Sequence, residues 1–375
     1  MPDFEKLIPE HIRKLTSYTP GKPVRQAQTE SGVDCIKMAS NENPLGPSPR
    51  AVEAMRSAAT QANFYPDLEL AQLRQVLAQH YHLKIEQVLI TAGSTQFLDL
   101  IARTLLSPGK NAITSERSFI VYPLVTRAAG GKLIEVPTRD DGYDLDAILA
   151  AINSDTRIVY LANPNNPTGT MFDSDAADRF LARVPPHVLV VLDEAYCDFA
   201  EAFAGQRRLT YSRSLDYVRD GRKLIVLRTF SKAHGLAGMR IGYGLGAPEL
   251  LRYFARVRPA FSVSAVSEAA ALAAFEDSEH IRKTVQNNLN EAPELGKRLS
   301  AMGLHTVSTF ASFVYFDVGE DAAEVARRIQ AEGVIVRPLT AWGIPSAIRV
   351  TVGAPEHNQR FLAALRTSLE RTPAR

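Results

Sequence analysis

Two cysteines, Cys35 and Cys197, are all that the 375 residues contain, too few for a disulfide framework or a structural zinc site. Both are expected to be apolar fillers in a reducing compartment. A block of like charge is equally missing. Forty-three Lys and Arg stand against 41 Asp and Glu, a formal net charge of +2, which excludes the basic tract of a nucleic-acid binder and the basic face of a membrane-surface helix. No window approaches the roughly 18 uninterrupted apolar residues of a membrane span, and the opening MPDFEKLIPEHIRKL spreads charges through its apolar positions, unlike a targeting segment. The phosphate-loop spacing G-x-x-x-x-G-K-[ST] is absent. GYGLG, Gly242 to Gly246, has neither the spacing nor the preceding first strand of a dinucleotide fingerprint. His80 and His82 flank Tyr81 without a carboxylate or cysteine at ligand spacing, so no metal is expected. What these absences leave is a chain expected to be cytoplasmic, with small molecules as its partners and neither nucleic acid nor membrane among them.

The residues that are present have ordinary globular proportions, 45% hydrophobic and 22% charged, and the length suits a large α/β domain plus a smaller one. Short runs rich in aliphatic residues recur: VLITA (88–92), NAITS (111–115), KLIEV (132–136), RIVYLA (157–162), VLVVLD (188–193) and KLIVLR (223–228). Between them lie helical patterns such as FLDLIARTLL, with apolar residues at Phe97, Leu98, Ile101, Leu105 and Leu106. Continuous apolar strands alternating with helices predict a mainly parallel sheet covered by helices on both faces. From Ser264 the texture changes to long helices followed by FVYFDV, DAAEVARRIQAEG, VIVRP, AIRVTVG and a last helix from Pro355, which predicts a smaller α+β domain. The expected division is 1–44 as an N-terminal arm with part of the small domain, 45–263 as the large domain and 264–375 as the small one. NENPLGPSP, Asn41 to Pro49, reads as a loop entering a helix near Arg50.

Open α/β sheets bind ligands beyond the carboxyl ends of their strands, so the residues following each run matter most. After VLITA comes Gly93-Ser94-Thr95 opening a helix, whose free backbone N–H groups suit a phosphate. After RIVYLA comes NPNNPTG, Asn163 to Gly169. Asp193-Glu194-Ala195-Tyr196 ends the next run, and Thr229-Phe230-Ser231-Lys232 follows KLIVLR, with Arg240 eight residues beyond Lys232. Each has an ordinary reading alone: a helix start, a turn, a helix cap, a solvated lysine. Their recurrence at successive strand ends points instead to one shared ligand. A phosphate cradle, a carboxylate and a nucleophilic lysine together fit pyridoxal 5'-phosphate. Its aldehyde needs an amine whose neutral form is accessible, favoured by burial and neighbouring cations, and Lys232 fits. Arg240 is the phosphate's counter-ion. The pyridine nitrogen holds its proton best beside a carboxylate, which is Asp193. Asn166 and Tyr196 can donate to the phenolic oxygen, and Phe119 is the candidate to stack on the ring. Thr229 and Ser231 complete the expected cofactor contacts.

These residues in this order resemble the fold type I pyridoxal-phosphate aminotransferases, and specifically the histidinol-phosphate aminotransferase family. SNENPLGPSP, FYPD, PNNPTG, DEAY, RTFSKAHGLAGMR and IRVTVG carry the resemblance, which runs from about Ile12 to the last helix. DEAY with SKA-x-GLAG-x-R is the part specific to the cofactor. The resemblance implies a homodimer in which Tyr65 of FYPD reaches the cofactor phosphate of the other subunit. It implies that Arg349 and Arg337 bind the anionic end of the substrate, with Tyr18 closing over it and Asn43 nearby, and that Lys232, Asp193 and Tyr196 are catalytic. The implied reaction converts imidazole-acetol phosphate and L-glutamate to L-histidinol phosphate and 2-oxoglutarate. Alternatives that keep every cofactor residue are an aromatic amino acid aminotransferase and a decarboxylase of phospho-amino acids. Three departures stand out: Gly93-Ser94-Thr95-Gln96 lacks the usual acidic residue, Ser312 stands where an asparagine is common, and His234 replaces an aromatic.

Overall fold

All six aliphatic runs become strands of one sheet in the computed structural model, which describes residues 4–17 and 21–370. They are β1 (Val88–Thr91), β2 (Asn111–Ser115), β3 (Lys132–Val136), β4 (Thr156–Ala162), β5 (Leu189–Asp193) and β6 (Leu224–Thr229), joined by a seventh, β7 (Gly242–Gly246). The sheet order is β1-β7-β6-β5-β4-β2-β3. The β2–β3, β2–β4, β4–β5 and β5–β6 pairs are parallel, and β7 runs antiparallel to both of its neighbours. The carboxyl ends of β1, β4, β5 and β6 therefore share one edge.

Helices cover both faces because the central strands are apolar on both. Val190 and Leu192 point into a core shared with helices Pro49–Ala59 and Ala71–His80, through Ala51, Leu73 and Leu77. Leu189 and Val191 point the other way, toward Phe97, Leu98 and Ile101 of helix Ser94–Leu105 and Tyr122 of helix Val121–Ala128. This is the two-sided burial that parallel sheets require.

The strand β7 lies on GYGLG, which the sequence presents only as a glycine motif. Its glycines are packing requirements: a Cβ on Gly244 would lie 2.2 Å from the Phe97 ring, and one on Gly242 would lie 2.8 Å from the Ser94 nitrogen. Helix Ser94–Leu105 can thus approach the sheet closely.

A second, antiparallel sheet has the order β10-β11-β9-β8, formed by β8 (His305–Thr306), β9 (Phe313–Asp317), β10 (Arg337–Pro338) and β11 (Ala347–Thr351). Phe313, Phe316, Ile348 and Val350 pack against helices Ser278–Ala301, Ala322–Ala331 and Pro355–Glu370. Ile36 and Lys37 pair in parallel with Val334 and Ile335, tying the N-terminal segment to this body. Ala270, Ala271 and Ala274 of helix Ala265–Glu276 pack in the large-sheet core, and the Asp277 carboxylate caps the next helix through the His280 N–H at 3.2 Å.

Candidate active site

Where the carboxyl edge of the large sheet meets the small sheet, a cavity of about 260 Å³ is lined from three directions: the segment Ala39 to Glu42, the large body, and Arg337, Trp342 and Arg349 of the small one. At one end the chain builds an anion receptor. Gly93 has φ +81°, and a Cβ there would sit 2.7 Å from Nη2 of Arg240, so only glycine lets that guanidinium lie over the helix start. The first-turn amides of Ser94 and Thr95 have no acceptor within their own helix. The Ser231 hydroxyl accepts from the Thr229 hydroxyl at 3.0 Å and from Arg240 Nη1 at 3.5 Å. Amides, a hydroxyl and a guanidinium around a space cleared by glycine could hold a phosphate. Gln96, where an acidic residue is usual, folds back to accept from the Ala92 N–H at 2.8 Å and the Ser262 hydroxyl at 3.1 Å. Gln96 thus does not line the cavity.

In the middle of the cavity lies Asp193, 4% exposed, its Oδ2 accepting from the Tyr122 hydroxyl at 3.1 Å and its Oδ1 from the Ala195 N–H at 3.3 Å. Burial raises its pKa to about 6, against the opposing pull of the Tyr122 hydrogen bond. A cation set against this carboxylate would offset that desolvation, and the protonated nitrogen of a pyridine ring is such a cation. Phe119 lines the same space and meets Tyr122 edge-on at 5.6 Å. Tyr122 in turn stacks on Tyr160 at 4.8 Å.

Lys232 faces Asp193 from the turn after β6. Its Nζ donates to the Ser40 carbonyl at 3.1 Å and lies 5.5 Å from the Tyr196 ring centroid. Its pKa falls to about 7, first through burial and next through the charge of Arg349. A good fraction of the amine is therefore neutral near pH 7, the state a nucleophilic lysine needs. Asn41 donates to the Tyr196 hydroxyl at 2.8 Å, and Arg349 Nη1 donates to Asn166 Oδ1. In these contacts the Tyr196 hydroxyl oxygen and the Asn166 carbonyl oxygen serve as acceptors. The set fits pyridoxal phosphate at its phosphate, ring and aldehyde ends.

Also on the cavity wall, Arg337 and Arg349 are register partners on β10 and β11. They are only 8% and 5% exposed. Directly opposed like charges repel, and two buried ones make a receptor suited to a dianion. Arg349 also donates through Nη2 to the Ala39 carbonyl at 2.8 Å.

The cavity thus gathers Ser94, Thr95, Phe119, Asn166, Asp193, Tyr196, Thr229, Ser231, Lys232, Arg240, Arg337 and Arg349, with Gly93 behind Arg240. Three expectations fall elsewhere. The Asn43 amide is used in structure, donating to the Ala233 carbonyl and the Thr284 hydroxyl, each at 3.0 Å, and it does not line the cavity; Asn41, at φ +57°, does. Tyr65 is 83% exposed, its ring tilted by 31° against Phe261 at 4.8 Å, and it does not line the cavity. Tyr18 lies outside the described residues. Tyr122, Asn41 and Trp342 were not singled out by the sequence; the spacing of Tyr122, three residues after Phe119 on a helix, was the available signal. His234 keeps an aromatic's role, buried parallel to Phe275 at 6.1 Å and edge-on to Phe230 at 4.8 Å, with burial lowering its pKa. Ser312 is buried beside Asn41, Glu42 and Lys232.

Residues 33–365 match the family model described as aminotransferase class I and II. The chain is 44% identical over 368 residues to histidinol-phosphate aminotransferase 2 of Pseudomonas aeruginosa, covering 97% of this chain and 98% of that one. It is 43% identical over 362 residues to the histidinol-phosphate aminotransferase of Moorella thermoacetica, covering 96% and 92%. Among solved structures it superposes on the histidinol-phosphate aminotransferase of Sinorhizobium meliloti in complex with pyridoxal-5'-phosphate, with a TM-score of 0.86 at 29% identity over 97% of both chains.

Proposed function

This chain belongs to the class I and II aminotransferase family and, within it, to the histidinol-phosphate aminotransferases, and from that premise we propose how its residues divide the reaction. It is a pyridoxal-phosphate-dependent transaminase that converts imidazole-acetol phosphate and L-glutamate to L-histidinol phosphate and 2-oxoglutarate. When bound, pyridoxal phosphate supplies the aldehyde that carries the amino group and the ring that accepts electrons. Ser94, Thr95, Ser231 and Arg240 hold its phosphate, with Gly93 leaving room for Arg240. Asp193 keeps a proton on the ring nitrogen, Tyr196 and Asn166 donate to the phenolic oxygen, and Phe119 fixes the ring plane. Lys232 Nζ, neutral near pH 7, takes the α-proton from the amino donor in the first half-reaction. In the second it returns a proton to the former carbonyl carbon of the acceptor.

One site must accept a carboxylate and a phosphate monoester in turn. The observation that carries the assignment is the buried cross-strand pair Arg337 and Arg349. Arginine's planar fork binds either anion, and the second guanidinium adds what a dianion needs. Arg337→Ala is expected to lower kcat/KM for histidinol phosphate about tenfold to a hundredfold while leaving glutamate within a few-fold, since a charge-assisted hydrogen bond contributes roughly 1.5–3 kcal/mol. Arg349→Ala lowers both. Half-reactions followed spectrally with glutamate, histidinol phosphate, phenylalanine and aspartate test this; an equal, small effect of Arg337→Ala on both partners, with phenylalanine turned over best, would favour an aromatic substrate.

A cytoplasmic homodimer is part of this reading. Support for the dimer comes from the exposed apolar cluster of Phe64, Tyr65, Leu68 and Phe261, a surface suited to a second copy of the chain. In that arrangement Tyr65 reaches the neighbouring subunit's phosphate receptor.

A further inference from the structure

The chain contains one tryptophan, and it stands between the arginine pair and the large body. Trp342 ends the short turn Thr340–Trp342 that follows β10. Its ring centroid lies 5.2 Å from the Arg337 guanidinium carbon and 5.9 Å from that of Arg349. Arg349 also has the Phe313 ring at 5.3 Å. The Trp342 Nε1–H donates to the Ser118 carbonyl at 2.8 Å, across the boundary between the two sheets. Ser118 directly precedes Phe119 of the cavity wall, and its hydroxyl is hydrogen-bonded to the Tyr143 hydroxyl, which accepts from the Ala162 N–H at 3.0 Å.

Two guanidiniums placed opposite each other on adjacent strands tend to separate. An aromatic face attracts both, because its quadrupole is negative above the ring. An indole on an exposed turn would ordinarily lose rotational freedom to serve in this way. Here packing against the cluster of Tyr315, Leu339 and Ile344, together with the hydrogen bond to Ser118, fixes its plane in advance.

We propose that Trp342 is a specificity-determining residue: it holds Arg337 and Arg349 together as a ready-made receptor for a phosphate dianion and so favours the phosphorylated substrate over glutamate. The proposal rests on the reading that this arginine pair binds the substrate phosphate. A monoanionic carboxylate can be met by Arg349 alone, whose position is also secured by Asn166 and the Ala39 carbonyl. A phosphate needs both arginines convergent. Loss of the indole therefore penalises the dianion selectively.

The test compares Trp342→Ala, Trp342→Phe and Arg337→Ala in the cofactor-loaded protein. Trp342→Ala is expected to raise KM for histidinol phosphate about fivefold to thirtyfold, with kcat little changed and with glutamate within about twofold. Trp342→Phe retains an aromatic face and loses the hydrogen bond, so it should recover part of that loss. In the parent protein, inorganic phosphate should change the emission of the sole tryptophan saturably and acetate should do so more weakly, with the phosphate response lost in Arg337→Ala. Equal losses for both substrates in Trp342→Ala would mark a merely structural role and overturn the proposal, as would no loss for either or a phosphate response unaffected by Arg337→Ala. If Arg337→Ala is selective and Trp342→Ala is not, the arginine reading stands and this proposal alone fails. If Arg337→Ala is not selective, the arginine reading fails and takes the proposal with it, whatever Trp342→Ala does.

Discussion

A carboxylate walled off from water is costly to ionise, and Asp193 is built that way. Its folded pKa of about 6 lies above the ordinary 3.8. The folded state therefore binds the extra proton between those values, and stability falls as pH rises through that window. In the cofactor-free protein, Asp193→Asn should match the parent in thermal stability near pH 4 and exceed it above about pH 6, by no more than roughly 3 kcal/mol. Loading with pyridoxal phosphate should reverse the order, because the parent's carboxylate then faces a protonated nitrogen that asparagine cannot neutralise. The loaded variant should also remove the α-proton of glutamate on the order of a hundredfold more slowly. Thermal melts of both forms at two pH values, with single-turnover spectra, check this. A variant no more stable than the parent at pH 8 without cofactor would show that Asp193 is not strained by burial. Lys232 complements Asp193 in sign. Its depressed pKa, about 7 against 10.5, means that the unfolded chain binds more protons above neutrality, so its share of stability rises with pH from about 7 to 10.5. The two groups are held in opposite, partly neutral states that a cofactor carrying both a cation and an aldehyde can relieve together.

Elements were legible in the sequence where burial on both faces leaves a nearly continuous apolar run, and that holds best for β1, β4, β5 and β6, whereas the edge strand β3 exposes Lys132 and Glu135. The candidate site was legible for the same reason, since strand ends deliver Asp193, Asn166 and Lys232 to one edge and motif spacing exposes them. The seventh strand was not, because glycine has low strand propensity, and the selection for Gly242 and Gly244 comes from contacts with Ser94 and Phe97, more than 140 residues away in the chain. Tyr122 was missed because an aromatic on an amphipathic helix looks like core, and stacking on Tyr160 does bury it; only the third dimension adds the hydrogen bond to Asp193. Asn41 and Asn43 are two residues apart in NEN, and the left-handed backbone at Asn41 decides which of them faces the cavity. The packing argument for β7 is testable. Gly244→Ala forces a methyl into the Phe97 ring and should lower unfolding stability by roughly 1–3 kcal/mol, the usual penalty of overpacking. Gly238→Ala, at a glycine with no atom within 4 Å of the added carbon and, like Gly244, no left-handed φ, is the control without overpacking. Denaturant midpoints of the two variants separate the effects; a Gly244→Ala protein as stable as the parent would mean that the helix can retreat from the sheet.

At the scale of the whole molecule, the cavity is closed by parts distant in sequence: the Ile36–Val334 pairing carries Ala39 to Glu42 to its rim, and the small sheet brings Arg337 and Arg349 across from the lysine. Tyr65 is the conspicuous residue this closure leaves outside, 83% exposed on an apolar patch with Phe261. In a two-fold dimer a patch of one subunit meets the same patch of the other, so a tyrosine there can serve a site that is not its own. Mixing tests this directly. Tyr65→Ala is expected to weaken cofactor retention, and Lys232→Ala to abolish transamination. If Tyr65 serves the partner, a hybrid dimer of the two variants contains one site with Lys232 from the first chain and Tyr65 from the second, complete in both, and one site lacking both. After unfolding and refolding of an equal mixture, half of the dimers are hybrids, so activity at limiting cofactor should recover to about a quarter of the parent's. If Tyr65 served its own subunit, every site in every dimer would carry one defect and mixing would restore nothing. Recovery that depends on protein concentration in parallel with dimer formation would also separate subunit exchange from an indirect effect of Tyr65→Ala on folding.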